Sequence, residues 1–527
     1  MKKLPLLVLI SSLFSMTFLI KAQQNTFSKV IQFSPLEGLS VDAIIPAYDN
    51  TYLLAGSAQN RGILINVDTG GNMLWNKVFS NNNPTIYPDV TFYHIIRTID
   101  SCFLIVGSAY NPLNNHADAL YIKITSNGDT IWSKTIGSPN YYSTFLYIQQ
   151  TTDSGYIMTG YTRNNIAPNE KVFVAKTDFG GNVQWTKNLE AGNNSNIGYS
   201  VKQTPDNYFI VTGLMESLNP VAIDAFLLKL LPTGDISWSK KINFTSPKYC
   251  FGKDFVITSN GFLLYLNTNG DNTIVKTDFS GNVLWTKTFD QYAGAILNLS
   301  STQKIHSTSD NNYIFTSGDE VAGGLSKIDS AGNLHWTKWL HLAAVDVLES
   351  NNKEYLIVGN GPMASVKTSK SFGLQIGIIQ TDSMGNSQDC VTPYTAVLIN
   401  DSAISYPTIF NSFSEGVEKT IHPIIDSVIL EYYVGCVTMG SGVGETGMKN
   451  HSYVFPNPST GIFTFANPKT VKAHIIIYDV MGMHILDSNI SDQQFEIDLS
   501  DHPNGIYFYK MIYSNNTIVQ GKLIMTN

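Results

Sequence analysis

The residues best placed by type to meet a ligand are six tyrosines, Tyr87, Tyr110, Tyr141, Tyr142, Tyr161 and Tyr249, in loops that together carry many asparagines. A tyrosine ring stacks on the apolar face of a sugar while an amide bonds its hydroxyls, so the set points to glycan binding. Harder chemistry has no signature here. The chain holds no Gly-x-Ser-x-Gly, no His-Glu-x-x-His, no phosphate loop, no EF-hand loop and no closely paired cysteines. Its ten histidines are scattered. His94, on a strand beside Phe92, reads as a packed or rim residue. The oxygens of Asn269-Gly270-Asp271-Asn272 would suit calcium, but turn chemistry alone accounts for them. No catalytic residue, metal or cofactor is expected.

What must position these tyrosines is a repeat. One phrase recurs as Asp68 to Lys77, Asp178 to Lys187, Asp278 to Lys287 and Asp329 to Lys338, with variants around Gly128-Asp129 and Gly234-Asp235 and a seventh, without tryptophan, at Gly385-Asn386. The turn glycines Gly71, Gly128, Gly181, Gly234, Gly281, Gly332 and Gly385 follow one another at steps of 57, 53, 53, 47, 51 and 53 residues. Six of the seven tryptophans stand four residues after such a glycine. Upstream, an apolar run ends in glycine, as in Tyr52 to Gly56, Phe103 to Gly107, Tyr156 to Gly160, Phe209 to Gly213 and Tyr355 to Gly359; units five and six depart from this. With a β-branched stretch before that run and another after it, each unit has four strands, A to D.

Four short antiparallel strands repeating at about 50 residues fit a propeller blade. An array of sandwiches fits less well, because each needs seven or more strands. The expected fold is therefore all-β: a seven-bladed β-propeller over residues 23–390. The tryptophans are expected to wedge between blades. Lys77, Lys134, Lys187, Lys240, Lys287 and Lys338, two residues after each tryptophan, are expected to guard strand D as an exposed outer edge. Phe27 to Ile31 copies the strand D pattern without strands A to C before it, so it is expected to complete the last blade as its outer strand. The A-B and C-D turns are short. The D-A and B-C loops, among them Ser108 to Ala119, Gly137 to Thr144, Tyr161 to Lys171 and Leu214 to Asp224, are expected to be long, to share one face and to carry the six tyrosines.

Lys2 and Lys3, an apolar run from Leu4 to Ile20, and Lys21-Ala22 have the build of a secretory signal, expected to occupy residues 1–22 and to be removed. No later stretch is apolar enough to span a membrane. Loss of three lysines takes the formal charge from −8 to −11, with 30 basic against 41 acidic residues. Such an acidic chain without a basic cluster argues against nucleic acid or anionic membrane as partner. Cys390 and Cys436 bracket a Thr-, Ser- and Val-rich insertion, 391–436, and are expected to form a disulfide that leaves Cys102 and Cys250 free.

A Gly-rich linker, 437–451, precedes a second β-region, 452–527, with strand candidates Ile462 to Phe465, Ala473 to Asp479, His484 to Asp487, Gln494 to Leu499, Gly505 to Ile512 and Ile518 to Met525. Its motifs run in order: Pro456-Asn457-Pro458 with Gly461, then Tyr478-Asp479 with Gly482, then Gly505, then Lys522. This region resembles the type A sorting domain of type IX secretion cargo in Bacteroidetes-type bacteria. The resemblance implies a small Ig-like β-sandwich, the type IX secretion machinery as partner, and delivery beyond the outer membrane, either released or attached at the surface. The repeats resemble, more loosely, the propellers joined to such domains.

Two enzymatic propellers offer a comparison. Sialidase-type boxes place Asp five residues before Trp, whereas Asp178 lies seven before Trp185; quinone-dependent dehydrogenases share the four-residue step from Gly181 to Trp185 but carry an adjacent cysteine pair that this chain lacks. The expected function is a secreted or surface-attached binding or adhesion module, with an extracellular polysaccharide as the candidate ligand. The alternative is a glycan-directed hydrolase or lyase on the same scaffold. Converging carboxylates at the channel mouth would favour the enzyme, and an uncharged aromatic rim would favour binding.

Overall fold

Six of the seven turn-glycine phrases join strands C and D of one sheet in a hairpin; the seventh, at Gly385-Asn386, follows a strand C whose strand D comes from Phe27–Phe33. The computed structural model describes residues 26–525 apart from 34–37, 81–89, 112–115, 139, 165–168, 193, 219–220, 245–248, 290–302, 319–322, 362–374, 388–390, 395–397, 400–402, 408–410, 414–416, 421–423, 427–429, 435–452, 456–458, 467–472, 480–482, 491–493 and 514–517. The described residues form strands and turns, with no helix long and apolar enough to cross a membrane. The chain divides into two units, residues 1–439 and 440–527.

The first unit contains seven antiparallel sheets built alike. Sheet 3 serves as the pattern: Tyr141–Gln150, Tyr156–Asn164, Glu170–Thr177 and Val183–Glu190 are its strands A to D. Sheets 1 and 2 start at Leu39–Pro46 and Val90–Arg97, sheets 4 to 6 at Asn196–Gln203, Cys250–Thr258 and Ile305–Ser307. Sheet 7 takes Ala343–Glu349, Tyr355–Asn360 and Ile376–Thr381 as strands A to C. Its strand D is Phe27–Phe33, which pairs with strand C from Phe27 opposite Gln380 to Ile31 opposite Ile376, as the orphan pattern implies. Apolar side chains fill the space between successive sheets. Val172, Val174 and Leu189 of sheet 3 meet Val201, Phe209 and Phe226 of sheet 4, and Ile31, Val358 and Ile378 of sheet 7 meet Leu39, Leu54 and Ile65 of sheet 1. The packing is therefore cyclic and propeller-like.

Strand D is not an outer edge, which corrects the reading of its lysines. Residues 391–434, set apart in the sequence as an insertion, run backwards through the sheets and add a fifth antiparallel strand to each. Val391–Tyr394 joins sheet 6, Leu398–Ile399 sheet 5, Ala403–Pro407 sheet 4, Asn411–Phe413 sheet 3, Val417–Thr420 sheet 2, Ile424–Asp426 sheet 1 and Leu430–Val434 sheet 7. The lysines instead reach sideways to the residue after the turn glycine of the next sheet. Lys77 meets Asp129 at 2.7 Å, Lys134 meets Asn182 at 2.9 Å, Lys187 meets Asp235 at 3.0 Å and Lys338 meets Asn386 at 2.7 Å. Lys29 makes the same bond to Asn72, closing the cycle.

The tryptophans act as wedges because of the turn glycines. All seven hold φ between +71° and +84°, a region that L side chains avoid. At Gly181 an added Cβ would stand 2.7 Å from the Trp132 ring of the sheet before it. Phe27 occupies that place over Gly71, where sheet 7 meets sheet 1.

The second unit has two antiparallel sheets around one core. Tyr453–Phe455, Ile462–Ala466 and Gln494–Asp498 form one; His484–Ile490, Ala473–Tyr478, Gly505–Tyr513 and Ile518–Met525 form the other, in that order. Phe463, Phe465, Ile475, Ile477, Met511 and Leu523 are buried between them.

Candidate functional site

The first strands of neighbouring sheets touch one another, so what they carry converges at the centre of the cycle. Each strand A except that of sheet 6 bulges by one residue, as between Phe145 and Tyr147 or between Gly198 and Ser200. In five of these sheets a glycine ending the apolar run of strand B makes room for the bulge. At Gly56, Gly107, Gly160, Gly213 and Gly359 an added Cβ would collide with a carbonyl oxygen of the bulged strand. Such bulges re-aim side chains at sites. Thirteen residues before the glycine, or before its counterparts Asn267 and Ser317, stand Ala43, His94, Tyr147, Ser200, Asp254, Lys304 and Asp346.

All of these but Ala43, which packs in the core between sheets 1 and 2, form a polar cluster with Asp42, Lys202, Lys253 and His306. His94 stacks on Tyr147 with ring centres 4.2 Å apart, and the Ile148 amide lies 3.4 Å from its Nδ1. Burial drives the His94 pKa well below its usual value, so the ring is neutral. This agrees with a packed histidine. Asp254 accepts from Lys202 Nζ at 2.9 Å, Ser200 Oγ at 2.7 Å and the Ile305 amide at 3.3 Å. Burial opposes its charge, but the Lys202 and Lys304 ammonium groups and these bonds bring its pKa to about 2. Asp346 meets His306 Nε2 at 2.8 Å and accepts from the Ile44 amide at 3.2 Å. Burial lifts the Tyr147 hydroxyl to about 12 and lowers the Lys253 amine to about 8. Burial also lifts the Asp42 carboxyl to about 7, opposed by the charge of Lys304.

Five of the six sequence-selected tyrosines lie among the described residues. Tyr87 lies outside the described residues. Tyr110 is buried on Phe103–Asn111, paired with Ala117. Tyr141 opens strand A of sheet 3, opposite Asn164, and Tyr249 is exposed, exchanging bonds with Asn269. Only Tyr142 and Tyr161 come together, with rings 5.9 Å apart and 21° from parallel and the Arg163 guanidinium 5.5 Å over Tyr142. Burial raises the hydroxyls of Tyr161 and Tyr93 well above the usual range. Tyr93, at the bulge of sheet 2, is buried near Tyr142, Tyr161 and Asp42.

Several B-C loops are shorter than expected. The strands run on past their glycines, to Asn111 and from His116 in sheet 2 and to Leu218 and from Val221 in sheet 4, because polar residues there still find cross-strand partners. Asn269 and Gly270, at φ +53° and +96°, make the two-residue hairpin between Gly261–Thr268 and Asp271–Thr277. Among the described residues, no three of His, Cys, Asp and Glu converge as metal ligands. Neither Cys102 nor Cys250 is in a disulfide, and the Cys250 sulfur accepts from Thr268 Oγ1 at 3.8 Å, whereas Cys390 and Cys436 lie outside the described residues.

In the second unit, Gly461 holds φ +135°, and a Cβ there would lie 2.7 Å from Cα of Ser500. Asp479 closes its turn by accepting from the Met483 amide at 2.8 Å. Tyr478 pairs with His484 and Phe508, and Phe508 pairs with Lys522. Pro456, Asn457, Pro458 and Gly482 lie outside the described residues. The fold of this unit carries a family match: residues 453–526 match the secretion system C-terminal sorting domain. The chain is thus cargo of the type IX machinery, delivered beyond the outer membrane to the medium or the cell surface.

No curated protein matches the chain. Among solved structures it is similar to the extracellular domain of a putative hybrid two-component system from B. thetaiotaomicron, at 11% identity and a TM-score of 0.36 over 94% of this chain and 59% of that one. The chain thus spans less than two thirds of that relative. A second such extracellular domain from the same organism shares 9% identity at a TM-score of 0.20, covering 92% of this chain and 85% of that one. Dimeric latent PorU from Porphyromonas gingivalis shares 10% identity at a TM-score of 0.13, over 84% of this chain and 35% of that one.

Proposed function

We propose that the mature chain is an exported seven-bladed β-propeller, its signal removed and its Ig-like tail read by the secretion machinery, that binds an extracellular polysaccharide. Seven sheets in cyclic packing support the blade number. The stacked Tyr142 and Tyr161 under Arg163 offer a platform for a sugar ring, and Tyr93 is buried near it.

One observation favours binding over hydrolysis. Asp254 and Asp346, the carboxylates at the centre, are each already held by a base, and an acid at about 2 makes a poor proton donor near neutrality. The enzymatic reading keeps one specific support, Asp42, whose carboxyl titrates at about 7. Affinity electrophoresis of the full chain through gels cast with soluble polysaccharides separates the two. Retardation without release of reducing ends or unsaturated products is expected. Release of either, abolished by Asp42→Asn, would transfer the assignment to a hydrolase or lyase.

A further inference from the structure

Lys304 is a buried cation at the centre, surrounded by the charges of Asp254, Asp346, Asp42 and Lys202. The residue is 2% exposed, and among the described residues its ammonium has no hydrogen-bonded or ion-paired partner. It lies over the Tyr147 ring, whose centre is 4.6 Å away. Two of the nearby carboxylates are bonded elsewhere. Asp254 is taken by Lys202, Ser200 and the Ile305 amide, and Asp346 by His306 and the amides of Ile44 and Val347. Burying an ammonium without a partner is costly, and a chain keeps such a group where something else supplies the missing acceptor. The direction of the Lys304 shift agrees: burial lowers its pKa, while Asp254, Asp346 and Asp42 act against that.

We propose that Lys304 anchors the carboxylate of a sugar acid, with the aromatic side chains of the same region carrying the sugar rings. The proposal rests on the polysaccharide-binding reading and adds the chemical class of its ligand. A single negative charge fits better than two. Asp254, Asp346 and Asp42 all act on the same ammonium, so a phosphate or sulfate dianion would meet repulsion that a carboxylate halves. The Tyr142–Tyr161 pair stands on the same sheet as Tyr147, with Tyr142 on the same strand, and adds an aromatic surface for a pyranose ring.

Isothermal titration of the full chain with tetragalacturonate, with its methyl ester and with the free galacturonate monomer tests this. The acid should bind at least about tenfold more tightly than the ester, as one charge-assisted bond implies. Lys304→Gln should erase that difference, Lys304→Arg should keep part of it, and Tyr142→Ala should weaken acid and ester alike. A monomer binding as tightly as the tetramer would support the same site with a free sugar acid as its source. Equal affinity for acid and ester, or an undiminished preference in a cooperatively melting Lys304→Gln, would overturn the inference and leave the polysaccharide reading standing. Binding of none of the three would overturn the inference; retardation by neutral polysaccharides in the gel assay then decides separately whether the broader reading survives.

Discussion

At the scale of single residues, the central cluster couples stability to pH in opposite directions. Asp42 has a folded pKa of about 7 against an ordinary 3.8, so the folded state holds its proton more firmly than the unfolded one. Its contribution is therefore greatest in acid and is lost as pH rises from about 4 to about 7. Asp254 is the reverse: its pKa of about 2 gives stability above the ordinary carboxylate range that is lost as pH falls toward 2. Replacing Asp42 with Asn should raise stability at about pH 8 by roughly 2 to 4 kcal/mol relative to its effect at about pH 4. Denaturant melts of both proteins at the two pH values check this, and an equal change at both would show that Asp42 is not held protonated by its surroundings.

At the scale of strands, local and repeated features were legible in the sequence and long-range ones were not. The turn glycines, the tryptophan four residues later and the strand D pattern of Phe27 to Ile31 each act within a few residues and recur, so spacing exposes them. The central cluster escaped because its residue type changes at each occurrence, from Ala43 to His94 to Lys304, although its fixed distance from the strand B glycine was there to be found. The fifth strands escaped for another reason. They are two to five residues long, share no phrase, and pair with residues from 51 to more than 400 positions away.

Those short strands cover what would otherwise be seven unpaired edges. A chain with residues 391–434 deleted and the linker joined directly should self-associate at concentrations where the full chain is monomeric, as light scattering would show. A monodisperse deletion variant would mean that the strand D lysines suffice as guards. A Cys390–Cys436 bridge would tie the two ends of this segment and contribute roughly 3 to 4 kcal/mol, and non-reducing peptide mapping of the exported protein detects it.

At the scale of the whole molecule, export and folding are assigned to different units. The second unit has its own core of Phe463, Phe465, Ile475 and Leu523, and the first closes its cycle without it. A chain ending near Val437 should therefore melt cooperatively, within about 1 kcal/mol of the full chain, and yet stay inside the outer membrane. Its appearance in the culture medium would remove the sorting role from the tail.

The backward course of the fifth strands also sets a clock on assembly. Sheet 1 has its first four strands once Ser80 is made, but its fifth begins at Ile424, 344 residues later. At a synthesis rate of about 5 to 20 residues per second that interval is roughly 20 to 70 s. The returning segment reaches sheet 6 first, then sheets 5 to 1 in turn, and sheet 7 last of all. Every intermediate length of the nascent chain is consequently an incomplete ring with open edges. The unit cannot lock before its final residues emerge.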